Sequence, residues 1–252
     1  MAAQWFVCRR DGAVIFKRHW SRAAGRRTSA ALAGVAVFKI ASAAVATEAL
    51  SHPVAPSDLC VTNGDLTPAA GGTIAINTPS SRAVLTSIGP QAAEIHFTFL
   101  GRSTETKPLA SGELRQQIGL KLRAQNTCNL IYAMWHIAPD SRVAVSVKRN
   151  PGQSTHEQCG AHGYDNLKSS ESTSPPPIVP GSNHVLRAEL SGSVLTVMAD
   201  RALAWKGDLG GGIAGLAGPV GLRTDNARFV FTFYAARAPG APILPCARTA
   251  GD

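Results

Sequence analysis

Between Glu113 and Arg123 the chain sets Arg115, Gln117, Lys121 and Arg123 in alternation with Ile118, Leu120 and Leu122. On an extended backbone, successive side chains point to opposite faces, so the cationic and amide groups share one face and the aliphatic ones the other. A guanidinium or an amide can neutralise a carboxylate, and a nearby imidazole or phenol can take and return a proton. Those are the parts needed to abstract a proton beside a uronate and eliminate across a glycosidic bond. Arg115 and Gln117 are the neutralising candidates, and His136 and Tyr164 the proton-transfer candidates. His96, His136 and Lys148 fall on segments that could be neighbouring strands. Lys148-Arg149-Asn150 opens a stretch carrying His156, His162 and Tyr164 beside Cys159, the densest cluster of reactive types in the chain. Trp135 and Trp205 offer aromatic faces that suit either a sugar ring or a core. The candidate ligand-binding set is therefore Lys121, Lys148, Asn150, His156 and Trp135. Glycoside hydrolysis needs two carboxyl groups flanking the bond. Glu94 stands alone on its segment and Glu113 has no acid two or four residues on, so an enzymatic reading favours a lyase over a hydrolase. The same polar face also suits the solvated side of a sheet, and His136 a packed histidine.

The elements that must position these groups read as strands. Glu94 to Phe99 alternates strictly; Arg142 to Lys148 puts Val143, Val145 and Val147 opposite Arg142, Ser146 and Lys148; Arg228 to Tyr234 puts Phe229, Phe231 and Phe233 on one face. Leu114 to Leu122, Val185 to Leu190, Val194 to Ala199 and Val220 to Arg223 pass the same test. Asn63-Gly64, Asn150-Pro151-Gly152, Ser191-Gly192 and Gly210-Gly211-Gly212 punctuate them as turns. One-faced strands of this kind belong to antiparallel sheets packed face to face. The expected fold class is all-β, an antiparallel two-sheet jelly-roll sandwich over residues 73–238, with an extended segment at 47–72 and a tail at 239–252. One long loop, 150–183, interrupts the strand pattern, its first half held by Cys159 and its Ser- and Pro-rich second half expected to be mobile.

Residues 1–46 are different in kind. They carry eight Lys/Arg against one acid, Asp11, and lead through the apolar run Ala30 to Ala46 into Ala44-Val45-Ala46. A basic region, an apolar region and small residues at the exit describe an export signal, and Arg26-Arg27 is compatible with the twin-arginine type. The run is interrupted by Lys39 and is shorter than the ~20 apolar residues a membrane span requires, so no span is expected in the mature chain. The remainder carries 17 Lys/Arg against 15 Asp/Glu. The net charge of +9 thus belongs mainly to the leader, and a nucleic-acid partner, which calls for a basic patch on the folded domain, is not expected. Cys8 falls in the leader; Cys60, Cys128, Cys159 and Cys246 remain, an even number for an oxidising compartment. Three pairings are open. Cys60 with Cys246 suits a sandwich whose ends are neighbours, and Cys128 with Cys159 closes a loop of about 30 residues. No C-x-x-C pair is present, so zinc is not expected.

At the C-terminal end, Leu186-Arg187-Ala188-Glu189-Leu190, Leu195-Thr196-Val197, Trp205-Lys206-Gly207 and the segment Gly218 to Asn226 resemble the closing strands of concanavalin A-like jelly rolls, the superfamily of laminin G-like domains, legume lectins, glucanases and polysaccharide lyases. The E-x-D-x-x-E strand of its glucanases is absent. Glu113-Leu114-Arg115 resembles the E-L-R element of jelly-roll alginate lyases, with Ser111-Gly112 where those carry Arg-Ser or Arg-Thr. Gln117-Ile118-Gly119 stands where those carry Q-I-H, with glycine in place of the histidine. The resemblance implies a sandwich whose concave polar face serves function and, for many members, calcium. Asp225-Asn226 could offer oxygen ligands for it, or simply turn a hairpin.

These observations lead to an exported, secreted or cell-envelope β-sandwich that binds a polysaccharide on a concave sheet face roofed by the 150–183 loop. The alternatives are a lyase acting on a uronic-acid-containing glycan and a structural or adhesive surface module without a sugar site. No cofactor other than calcium is implied.

Overall fold

The alternation is realised in strands wherever one face is buried. The computed structural model describes residue 50 and residues 53–246; the expected export segment lies outside the described residues, as does the tail beyond Cys246. Fourteen strands form two seven-stranded antiparallel sheets. One sheet runs in the order β1 (Leu59–Asn63), β4 (Ser80–Leu85), β13 (Gly221–Asp225), β6 (Gln116–Leu122), β7 (Leu130–Ala138), β8 (Arg142–Lys148) and β9 (Tyr164–Leu167). The other runs β12 (Ala202–Asp208), β11 (Val194–Ala199), β10 (Asn183–Ser191), β5 (Ala92–Arg102), β14 (Ala227–Ala235), β3 (Ile74–Ile76) and β2 (Thr67–Pro68). The 47–72 segment thus gives an outer strand to each sheet.

The core lies between the sheets. Ile118, Leu120 and Leu122 of β6, Ile131, Ala133 and Trp135 of β7, and Val145 and Val147 of β8 meet Ile95, Phe97 and Phe99 of β5 and Phe229, Phe231 and Phe233 of β14. Trp135, fully buried, stands edge-on to Phe97 at 5.9 Å and gives its Nε1–H to Ser141 Oγ at 3.3 Å. The sugar-stacking role expected of Trp135 is therefore corrected: its parity on β7 is that of Ile131 and Ala133, so the indole faces inward. Trp205 is buried in the same core.

The 150–183 stretch is more ordered than its composition suggests. A short helix α1 (His156–Cys159) is closed by a capping box between Thr155 and Gln158, and Cys159 is bonded to Cys128. The chain then returns as β9, paired to β8 with Tyr164 opposite Lys148. The Ser- and Pro-rich half runs along β12: Ser170 N donates to Lys206 O and Lys206 N to Glu171 O, both at 2.8 Å. The stretch ties β9 to the edge of the other sheet and covers the outer side of β12. Cys60 is bonded to Cys246, and Leu244 N donates to Thr86 O at 2.6 Å, so the tail is fastened beside β4. Asp225-Asn226 is not a hairpin turn: β13 and β14 lie in different sheets, and Asn226, at φ 52°, carries the chain across. No helix among the described residues is long and apolar enough to cross a membrane.

Candidate functional site

The outer face of the first sheet is a groove, and strand register decides what lines it. Gln117 of β6 lies opposite Asp225 of β13 and His136 of β7, and His136 opposite Arg142 of β8. One row on, Arg223, Gly119, Met134 and Ala144 align; the next holds Lys121, Tyr132, Ser146 and Asn166. All point away from the core, because side chains on neighbouring strands at paired positions share a face. Two connected compartments, of about 880 and 220 Å³, share Tyr132, Tyr164 and Arg223 in their lining. Leu109 to Ser111 form one wall, and Asn166 with Lys168 to Pro175 the other. The first wall is fixed by Asn226, whose Oδ1 accepts from Lys107 N at 2.8 Å and whose Nδ2 donates to Lys107 O and Arg115 O.

Asp225 is the hub of the floor. Its carboxylate is 1% exposed and accepts from Arg223 Nε at 2.7 Å, Gln117 Nε2 at 2.6 Å and Arg82 Nη2 at 3.5 Å. Burial works against the charge of Arg223, but Asp225, Tyr132 and Tyr164 outweigh it and hold the guanidinium well above its ordinary pKa. With two guanidinium groups already at the carboxylate, and Asn226 spent on backbone, this pair is not arranged as a calcium site. Among the described residues no cluster of three His, Cys, Asp or Glu side chains could hold a metal ion.

His136 is clasped by cations. Arg142 Nε donates to its Nδ1 at 3.2 Å, and Arg115 Nη1 stands 3.4 Å from its Nε2; Arg115 is turned by a hydrogen bond from Nη2 to Glu113. Burial, then Arg115, Arg142 and Arg223, against the weaker pull of Asp225, hold the ring at about 3, far below its ordinary 6.5. A base this weak takes a proton poorly at neutral pH. At the other end of the groove the rings of Tyr132 and Tyr164 stack 6.1 Å apart, with the Arg223 guanidinium 5.0 Å from the Tyr132 centroid and Lys148 Nζ 5.1 Å from that of Tyr164. Lys148 Nζ also donates to Gly160 O at 2.7 Å. Tyr132 is buried, whereas Tyr164 is 39% exposed.

Of the residues singled out in the sequence, Arg115, Gln117, Lys121, His136, Lys148, His156 and Tyr164 all line the two compartments. The others go elsewhere. Asn150 is a staple of the loop, its Nδ2 donating to Cys128 O and His162 O and its N–H to Asn129 Oδ1. Arg123 leaves the strand at φ 45° and reaches Ile213 O and Gly192 O. His96 sits on the outer face of the opposite sheet, beside Glu94 and Tyr234. The groove residues not foreseen are Tyr132, Arg142, Arg223 and Arg82; Asp225 was foreseen only as an oxygen ligand or a hairpin turn. The strand parity that placed Lys148 also places Arg142, so that signal was present. At Gly119, where the lyases carry histidine, a Cβ would lie 2.5 Å from Ala133 O and 2.8 Å from Met134 Cα, so no side chain fits without moving β7.

The chain passes repeatedly between two antiparallel seven-stranded sheets, and the sheet carrying the groove is walled by loops. The fold is an antiparallel two-sheet jelly-roll sandwich. Neither a family model nor a curated protein matches the sequence. Among solved structures this jelly roll is similar to the carbohydrate-binding module CBM66 from Bacillus subtilis, at 16% identity over 71% of this chain and 96% of that one, with a TM-score of 0.49. It is similar to LamAcat from Zobellia galactanivorans, at 13% identity over 74% and 95%, with a TM-score of 0.43, and to the galectin LEC-6 from Caenorhabditis elegans, at 9% identity over 73% and 99%, with a TM-score of 0.39. Identities of this order concern architecture and not activity.

Proposed function

We propose that this is an exported carbohydrate-binding sandwich that holds a polysaccharide along the groove between the 107–111 and 166–175 walls. The observation that carries the reading is the groove itself: a compartment of about 880 Å³ lined by Arg115, Gln117 and His136 and by the part-exposed ring of Tyr164, which offers an apolar face of the kind a pyranose stacks on. Gln117 Nε2 is committed to Asp225, which fixes the amide at the floor. The test is retention of the full chain on a panel of immobilised polysaccharides. Binding is expected, together with its loss in Tyr164→Ala at unchanged melting temperature; no retention on any glycan would favour the adhesive-module reading instead.

The second reading, a lyase acting on a uronate, is favoured by one observation: Arg115, His136, Lys148 and Tyr164 open into connected compartments. Against it, the amide donor of Gln117 is committed to Asp225, His136 is a poor base, and Gly119 has no room for the histidine of the lyases. Under this reading Tyr164 would carry the proton transfer. Absorbance of an unsaturated uronate product, followed on the same panel, separates the two: retention without a rise is the outcome expected here.

A further inference from the structure

The floor around His136 is built to receive an anion. With Nδ1 accepting from Arg142, a neutral ring carries its proton on Nε2 and turns it toward Arg115 Nη1, a donor facing a donor. Among the described residues His136 Nε2 meets Arg115 and no acceptor, while Arg115 spends Nη2 on Glu113. Gln117 faces the ring from β6, Arg223 and Asp225 from β13, Arg142 from β8, and Arg115 from the segment before β6. Asp225, the one acid among them, has both oxygens taken by Arg223, Gln117 and Arg82. Glu113 reaches Arg115 from the rim, where its side chain is 50% exposed. The far wall adds Lys168 and the neutral Ser172 to Ser174. Charge that is almost balanced over the mature chain, 17 cations against 15 acids, is therefore gathered with one sign on this face. Grouping cations is costly unless a counter-charge joins them, the more so where, as at Arg115 and Arg223 and unlike the exposed Arg142, the side chain is largely buried.

Resting on the groove reading above, we propose that the polysaccharide is anionic, and that one of its carboxylate or sulfate groups seats between Arg115 and Arg142 over His136, the ring taking up one proton as the seat fills. Two guanidinium forks match such an oxyanion in geometry as well as charge. The proton comes from solvent to Nδ1, the ring nitrogen with a lone pair, which gives up its hydrogen bond from Arg142 as the arginine turns to the incoming oxygen. Burial and the three arginines hold the empty ring at about 3. An opposite charge within ~4–6 Å favours the protonated form by about 1–3 pH units, so as pH falls from about 8 to about 5 binding tightens by about 1.1-fold at the lower end of that range, about twofold in its middle and about tenfold at its upper end.

The test passes the full chain over polygalacturonate, dextran sulfate, unsubstituted dextran, a neutral β-glucan and single-stranded DNA. Calorimetry on a retained glycan, in buffers of low and high ionisation heat near pH 5, counts protons. Expected are retention on the uronate or the sulfate polymer, the stronger of the two naming the substituent, and proton uptake that His136→Gln abolishes. Arg142→Gln should weaken binding about tenfold or more, with Arg142→Lys intermediate because it keeps the charge without the fork. Retention on neutral glycans alone would overturn the anionic seat and leave the groove reading standing, as would binding that Tyr164→Ala removes and Arg142→Gln does not. DNA held as tightly as any glycan would overturn the glycan assignment of the seat. Retention on nothing would overturn both.

Discussion

Replacing His136 with glutamine should flatten the acid side of the stability curve. The imidazole ordinarily titrates near 6.5 and is held at about 3 in the fold. Below about 6.5 the unfolded chain therefore binds a proton that the folded chain refuses. Stability is complete above that pH and falls as pH drops toward 3, by up to about 1.4 kcal/mol per unit. Between pH 7.5 and 5 the loss accumulates to about 2 kcal/mol from this one ring. Glutamine can accept from Arg142 and cannot titrate. Guanidinium titrations of the disulfide-intact protein at a series of pH values, on the natural chain and on His136→Gln, give the two curves; contributions shared by other groups cancel in their difference. The natural chain should lose about 2 kcal/mol more than the variant over that interval, at equal m-values. Parallel curves would show that the ring is not held neutral by Arg115 and Arg142, and the proton-uptake argument would fall with it.

Trp135→Ala should cost about 3–5 kcal/mol in the same denaturation assay, because the indole fills the core between the sheets, while Tyr164→Ala at the groove should cost under about 1 kcal/mol. Gly119→Ala should lower stability by about 1–3 kcal/mol through overpacking against β7, read as a lower melting temperature with no new sugar affinity. Cys128→Ser combined with Cys159→Ser should remove about 3–4 kcal/mol by freeing the loop that the bond closes, and limited proteolysis should then cut within 150–183 before the rest of the chain.

How far the sequence could be read depended on how many faces of a strand are covered. β5, β8, β10 and β11 show alternation because one face packs and the other meets solvent or groove; β6, buried on both faces, still alternates because its groove face carries the polar Gln117 and Lys121. β7 does not: seven loop- and groove-covered or core positions in a row from Leu130 to His136 are buried, so Leu-Ile-Tyr-Ala-Met-Trp-His gives no period to follow. Trp135 was consequently misassigned and Tyr132 missed, although either follows once His136 is put on the groove face, since parity then fixes its neighbours. β9, four polar-leaning residues inside a long loop, is held by pairing to β8 and not by any pattern of its own. The convergence of Gln117, His136, Arg142 and Asp225 rests on register between strands distant in sequence, which a single chain does not encode locally. The charge of the groove was hidden for another reason: a sum over the mature chain averages a one-signed face with its opposite surroundings.

The bond between Cys60 and Cys246 joins residues 186 positions apart, with Cα atoms 5.3 Å from one another. Both sheets hang between these two points. A pulling force applied to the chain outside them first loads the few contacts of residues 53–59, such as Val54 N to Phe233 O and Thr86 N to Asp58 O, and then passes from Cys60 to Cys246 through sulfur, so the strands between the two cysteines bear little load while that bond is intact. Pulled at its two ends, the protein would carry most of the tension through this covalent link and leave its groove little deformed. Only after reduction would the strands themselves be stretched.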